Sequence, residues 1–238
     1  MVFRPLLKPT LWFLPMFLVL IGLGTWQVER LHWKVALIAQ MNASLTAPPL
    51  TLDQIAKLPA AEAQYRHVAL KGRFDNAKEA YAFATAEGGT PVYHVLTPLI
   101  LSDGRALIVD RGMIPQNLRD PKTRAAGQLE GEQRVTGVWR TPGPANLFTP
   151  KPDLQKRLWF ARDVKAMAAL DHLTLVAPVV VEADATPNPG GWPKGGQTVV
   201  SLPNNHLQYA ITWYLMALGL LAVYLVWHRQ KGRLGRAP

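Results

Sequence analysis

Cysteine is absent from the 238 residues. That absence excludes disulfides, thiolate metal sites, iron–sulfur clusters and cysteine nucleophiles. Charge is missing from two long stretches: none lies between Lys8 and Glu29, and none within residues 207–227. Acidic residues are missing from both ends. Residues 1–9 and 228–238 hold six basic residues, Arg4, Lys8, Arg229, Lys231, Arg233 and Arg236, and no acid. The remaining 20 basic residues share the middle with all 16 acids, so more than half of the net charge of +10 sits at the ends. A basic groove for nucleic acid would concentrate charge elsewhere, and no motif of a nucleic-acid module is present, so nucleic acid is not an expected partner.

The two uncharged stretches read PTLWFLPMFLVLIGLGTWQV and LQYAITWYLMALGLLAVYLVW. At about 1.5 Å rise per residue, each can cross ~30 Å of hydrocarbon as a helix. Trp12, Trp26, Tyr209 and Trp227 mark the edges as interfacial aromatics do. The first stretch runs without a small-x-small cleavage signal into WQVERLHWKVALIAQM, which keeps helical spacing, so a retained anchor is expected rather than a cleaved signal peptide. No Arg- and Ser-rich organelle presequence is recognisable, which points to a bacterial protein. Short basic tails stay in the cytoplasm. The expected organisation is therefore a cytoplasmic tail (1–9), a first transmembrane helix (10–28), a periplasmic α+β domain (29–203), a second transmembrane helix (204–228) and a cytoplasmic tail (229–238), in the inner (plasma) membrane.

Between the spans, Trp26, Arg30, Trp33 and Leu37 recur at three- and four-residue steps, so the first helix should continue out of the membrane until Ala47-Pro48-Pro49 stops it. Thr51 can cap a short helix to Leu58. Strand signals follow. Val68, Leu70, Gly72 and Phe74 alternate with Ala69, Lys71 and Arg73. AYAFATA is a second strand. VYHVLTPLIL and RALIVDRG flank Ser102-Asp103-Gly104, a hairpin signal. QRVTGVWR and APVVVEAD add strands, and WFARDVKAMAAL reads as a strand end entering a short helix. RTPGPANLFTPKPD and TPNPGGWPKGGQ are loops. The fold class expected is a membrane protein with two terminal transmembrane helices and an α+β domain dominated by antiparallel strands, curled into a small barrel.

The usual signatures of catalysis are missing: no nucleophile elbow, no zinc-binding H-E-x-x-H, no phosphate-binding P-loop and no dinucleotide fingerprint. An enzyme is not expected. Gly190-Gly191-Trp192-Pro193-Lys194-Gly195-Gly196 has the composition of a phosphate loop but not its spacing, and its prolines remove or constrain donors. His32, His67, His94 and His172 form no ligand pair, and His67 and His94, which lie in strands, read as packed or surface imidazoles. Asp110-Arg111 reads as a strand-end ion pair or turn, with a partner-docking or haem-propionate contact as the rival reading. Arg162-Asp163 opens a helix, with Asp163 near its N-terminus. His206 stands apart, at the mouth of the second span. Asn204 or Asn205 can cap that helix, so the histidine is not needed there. His206, Tyr209, Ala210 and Trp213 share one helical face. An imidazole, a small residue and aromatic planes could hold a flat metal-bearing ligand, because neutral imidazole is an ordinary axial ligand of haem iron. An interfacial histidine in an aromatic belt fits the same residues.

Several segments together resemble one family: GTWQVERLHWK, YRHVALKGRF, VDRGMIP, WFARD, PNPGGWPKGGQT and NNHLQYAITWY, in that order between two terminal spans. They are similar to the surfeit-locus (Surf-one, or Shy-one) family of cytochrome c oxidase assembly proteins, over nearly the whole chain. The resemblance implies an assembly factor for a haem-copper terminal oxidase that transiently binds haem a and assists its insertion into subunit I. It implies His206 as the axial ligand of the haem iron and Trp213 as a residue lining the haem face. Cytochrome c oxidase subunit I is the implied partner, with haem A synthase a further one and membrane lipid around the spans. The alternative is a haem-free scaffold that stabilises nascent subunit I. Two segments depart from the family pattern. Met113 follows Asp110-Arg111-Gly112 where asparagine-arginine-glycine-tryptophan is usual, and Ala161 follows Trp159-Phe160 in an otherwise aromatic stretch.

Overall fold

The computed structural model of the chain describes residues 2–143, 145–198 and 203–235. Its elements, in chain order, are β1 (Val2–Phe3), α1 (Leu7–Thr46), β2 (Leu50–Thr51), α2 (Leu52–Ile55), α3 (Ala60–Ala63), β3 (His67–Phe74), β4 (Ala80–Thr85), β5 (Pro91–Ile100), β6 (Ala106–Pro115), β7 (Glu132–Arg140), β8 (Leu158–Trp159), α4 (Val164–Leu170), β9 (Leu175–Ala183), α5 (His206–Gln230) and β10 (Leu234–Gly235). They fall into two compact units, residues 1–40 with 201–238, and residues 41–200.

The first unit holds the two helices that are long and apolar enough to cross a membrane. Their lengths of 40 and 25 residues correspond to ~60 Å and ~38 Å of helix. Leu11, Trp12, Met16 and Leu18 on α1, and Leu207, Leu215, Leu218 and Val223 on α5, are left exposed. So much uncovered apolar surface is the mark of a membrane protein rather than of a core helix. Contacts between the helices run in opposite chain order, so they are antiparallel. The Thr10 hydroxyl meets the Tyr224 hydroxyl at 2.6 Å, Phe13 stacks on Tyr224 at 4.0 Å, and Gly24 lies beneath the Tyr214 ring. A Cβ on Gly24 would come within 2.8 Å of that ring, so glycine sets how closely the helices approach.

The second unit is mixed α/β around a closed barrel. The sheet runs β2-β3-β7-β9-β6-β5-β4-β8, and a further β3–β5 pairing closes β3, β7, β9, β6 and β5 into five staves. The expected strands are all present. On β3, Val68, Leu70, Gly72 and Phe74 are buried while Ala69, Lys71 and Arg73 face out. Thr51 caps α2 in a reciprocal capping box with Gln54. At the β5–β6 hairpin Gly104 takes φ 82°, the left-handed conformation that the turn requires. Asp163 caps α4 by accepting from the Ala166 N–H at 3.0 Å. Most pairings are antiparallel, but β6 and β9 run parallel. Strand β9 arrives after the long crossover through β7, β8 and α4, and a parallel neighbour needs such a crossover.

Residues on β6 and β9 pack on both faces. Leu107, Val109 and Val181 fill the barrel with Leu70, Phe74 and Val135. Ile108 and Val180 face outward to a second apolar layer with Leu96, Trp159 and Met167, which α4 covers. Two local expectations fail. Asn205 occupies the N-cap position of α5, yet its side chain makes no capping bond. Asp110 and Arg111 do not pair with each other: they are consecutive on a strand, so their side chains leave opposite faces.

Candidate functional site

Besides the hydroxyl contacts of Thr10 with Tyr224 and of Thr25 with Tyr214, the helical unit brings a histidine of α5 against a glutamine of α1. His206, half-buried in the first turn of α5, places Nδ1 2.7 Å from the Gln27 side-chain oxygen on α1. With that amide oxygen as acceptor, Nδ1 carries the proton and donates it. The lone pair then resides on Nε2, which has no partner among the described residues. This is the tautomer and the outer hydrogen bond that a metal-ligating histidine uses. Trp213, seven residues on, is half-buried, and Tyr209 is exposed. Ala210 between them is buried, leaving no bulk on that part of the face. No ring stacking joins His206, Tyr209 and Trp213 among the described residues. The shared face follows from helix spacing; the direct contact that the structure adds is Gln27. On α1, Arg30 lies over Trp26 at 5.7 Å and Trp33 at 5.5 Å, as the face shared by those residues requires.

The barrel unit carries three polar clusters. The first joins His94, Asp110, Arg162 and Glu182. The Asp110 carboxylate lies 2.8 Å from His94 Nδ1, accepts from Arg162 at 2.6 Å and takes the Gly112 N–H at 3.0 Å. Burial alone would raise its pKa. The His94 hydrogen bond and charge, the Arg162 charge and the Gly112 N–H outweigh burial and hold it below the usual carboxylate range. Arg162 also donates to Glu182 at 3.1 Å, and Thr198 donates to the other Glu182 oxygen at 2.7 Å. Beside the cluster is a cavity of about 290 Å³ lined by Phe83, Phe160, His94, Arg140, Arg162 and Glu182, among others.

In the second cluster the buried Glu79 is held by Arg124 through both carboxylate oxygens, by the Tyr81 hydroxyl at 2.6 Å and by Gln128 at 3.3 Å. Burial, and then the Glu79 hydrogen bond and charge, raise the Tyr81 phenol far above its ordinary value. In the third, Arg157 pairs with Asp171 at 2.6 Å and donates to the Lys78 and Glu79 carbonyls, tying the segment before β8 to the start of β4. None of the three has metal-ligand geometry: among the described residues no group of three His, Asp or Glu could hold an ion.

Sequence reasoning treated His94 as a packed or surface imidazole and missed Glu79, Arg124, Arg140 and Glu182. Their partners lie tens of residues away. The single visible signal was a carboxylate inside each apolar strand run, in LIVDRG and VVVEAD.

The glycine-rich loop is structural. The Lys194 and Met113 backbones exchange hydrogen bonds at 3.0 Å, the Gly196 N–H reaches the Ala183 carbonyl at 2.8 Å, and the Gly191 N–H reaches Asn188 at 2.9 Å. Three of the loop's backbone donors are thus spent, two on the barrel and one within the loop. The glycines permit backbone to touch backbone: a Cβ on Gly112 would lie 1.9 Å from the Lys194 carbonyl oxygen, and one on Gly127 2.2 Å from that of Trp192.

These features define a class: a membrane protein with two apolar terminal helices and a mixed α/β domain built on a closed five-stranded barrel. The SURF1 family model matches residues 14–218, a span that includes the barrel, His206 and Trp213. Surfeit locus protein 1 of Takifugu rubripes is 37% identical over 223 residues, covering 85% of this chain and 91% of that protein. The protein of the same name from Gallus gallus is 36% identical over 226 residues, 87% of this chain and 70% of the relative. That from Homo sapiens is 35% identical over 209 residues, 81% and 68% respectively. The chain belongs to the SURF1 family.

Proposed function

We propose that this protein is an assembly factor for a haem-copper terminal oxidase, holding haem a transiently and assisting its insertion into subunit I. Family membership supports the assembly role. The observation that carries the haem reading is the His206–Gln27 pair, with Nδ1 bonded and Nε2 open at the mouth of an apolar helix. His206 would ligate the iron through Nε2, while Trp213 and Tyr209 offer aromatic surface to the macrocycle. One protein ligand suits a cargo that must leave, and an assembly factor needs no catalytic group. The basic tails support cytoplasmic termini and a periplasmic barrel in a bacterial inner membrane. Subunit I would be the acceptor and haem A synthase the donor.

The test is a visible spectrum of the chain co-expressed with the enzymes of haem A synthesis and purified in an uncharged detergent, beside His206→Ala. The expected outcome is near-stoichiometric haem in the parent and none in a folded variant. Equal haem in both, or none in either, removes His206 as ligand and favours the scaffold that stabilises subunit I without touching haem.

A further inference from the structure

Arg111 is 98% buried at the end of the barrel core, and among the described residues it is not matched by a carboxylate. Its neighbour Asp110 leaves the opposite face of β6 and is engaged by His94 and Arg162. The other nearby acid, Glu79, is engaged by Arg124, Tyr81 and Gln128. What Arg111 has is the Phe74 ring 4.6 Å from its guanidinium carbon, and Nη2 contacts to the Gly127 carbonyl and, at 3.5 Å, to Asn188. Nη1 is buried with no partner among the described residues. A buried guanidinium left in this state is costly, because desolvation is not repaid by an opposite charge. Burial accordingly draws its pKa down to about 10.

The same residue lines a cavity of about 290 Å³ at the barrel mouth. Its lining also includes the polar residues Thr136, Gln133 and Asn188 and the apolar Phe74 and Leu129, with Arg134 a second positive charge and Asp184 a negative one. Asp184 in turn lies 3.6 Å from His67. Barrel mouths are common ligand sites, and although the Gln133 and Asn188 amides already donate to the Glu130 and Pro193 carbonyls, each keeps a second N–H, so that a guanidinium in this lining is matched by an oxygen anion. We propose that the barrel mouth at Arg111 is an oxyanion site that takes a single carboxylate or phosphate group, with the Arg111 guanidinium as its positive charge. The site belongs wholly to the barrel unit and does not depend on the haem reading.

Trifluoroacetate, followed by its fluorine resonance, is the probe, with the full chain in uncharged detergent at constant ionic strength set by chloride. The parent should broaden the resonance. Arg111→Met should weaken binding at least ~10-fold, the loss expected of a hydrogen bond to a charged group. Thr186→Trp, at an exposed position on the cavity wall, keeps Arg111 and the core but fills the space, and should also abolish broadening. Displacement by acetate but not by inorganic phosphate assigns the site to carboxylates, and the reverse assigns it to phosphate. No broadening by the parent, or broadening unchanged in both variants, overturns the proposal.

Discussion

Replacing Gln27 by leucine would remove the acceptor that holds His206 without adding charge to an apolar helix. The perturbation acts on one 2.7 Å hydrogen bond. In the parent that bond keeps the proton on Nδ1 and fixes the plane of the ring. In Gln27→Leu the ring can turn, and the tautomer with its proton on Nε2, which leaves no lone pair on that atom for the proposed iron ligation, competes for population. Losing such an outer partner of a metal-ligating histidine costs roughly 10- to 100-fold in affinity, or about 1.4–2.7 kcal/mol. The assay is titration of the purified variant with haem in uncharged detergent, read at the Soret band. Circular dichroism would confirm that both helices remain. Gln27→Glu, which can only accept, should retain the parent's affinity or exceed it. The reasoning is refuted if Gln27→Leu binds haem as tightly as the parent while His206→Ala loses it, because the hydrogen bond would then be idle. It is refuted equally if Gln27→Glu weakens binding as much as leucine does, because the amide would then be donating to the ring and not accepting from it.

Gly112→Ala should destabilise the barrel by about 3 kcal/mol, combining left-handed strain with loss of the two Met113–Lys194 hydrogen bonds; differential scanning calorimetry should show a melting point lower by ~6–12 °C. Arg124→Met should cost about 3–5 kcal/mol in a urea titration, because it strands the buried Glu79, and the added change Glu79→Gln should recover most of the loss. The folded-state pKa of Asp110 lies below its ordinary value of 3.8, so its ionised form favours folding. That stability is complete above about pH 4 and drains away as pH falls through the lowered value, so Asp110→Asn should flatten the acid limb of a urea-midpoint profile.

Much of the fold was legible because it depends on local spacing. Alternation marked β3, Asp103-Gly104 marked the hairpin, and Thr51 and Asp163 marked helix starts. Closure of the barrel was readable only as a tendency to curl, since it rests on β3 returning to β5 and on β9 entering between β6 and β7. The pairing of Asp110 with Arg111 was misread by taking sequence neighbours for spatial ones, although period two sends them to opposite faces. His206 was visible as a polar residue with no local duty. Gln27 was not, because a glutamine at the edge of an uncharged stretch, in the middle of a long helix, needs no explanation until a residue 179 positions away is brought against it.

Barrel closure has a mechanical side. Strands β3 and β7 share seven aligned pairs, from His67–Val138 to Arg73–Glu132, whereas β3 and β5 share only Arg73–Ile100 and Phe74–Leu99. Gly72 stands next to this short join because a Cβ there would lie 2.5 Å from the Ile100 carbonyl oxygen. The cylinder therefore has a seam. Backbone amides along it should exchange with heavy water sooner than those between β3 and β7, since few bonds must part for the join to gape. A chain that unravels here first would lay open the Phe74 and Leu99 side chains while the other four junctions still hold, leaving a curved sheet in place of a tube.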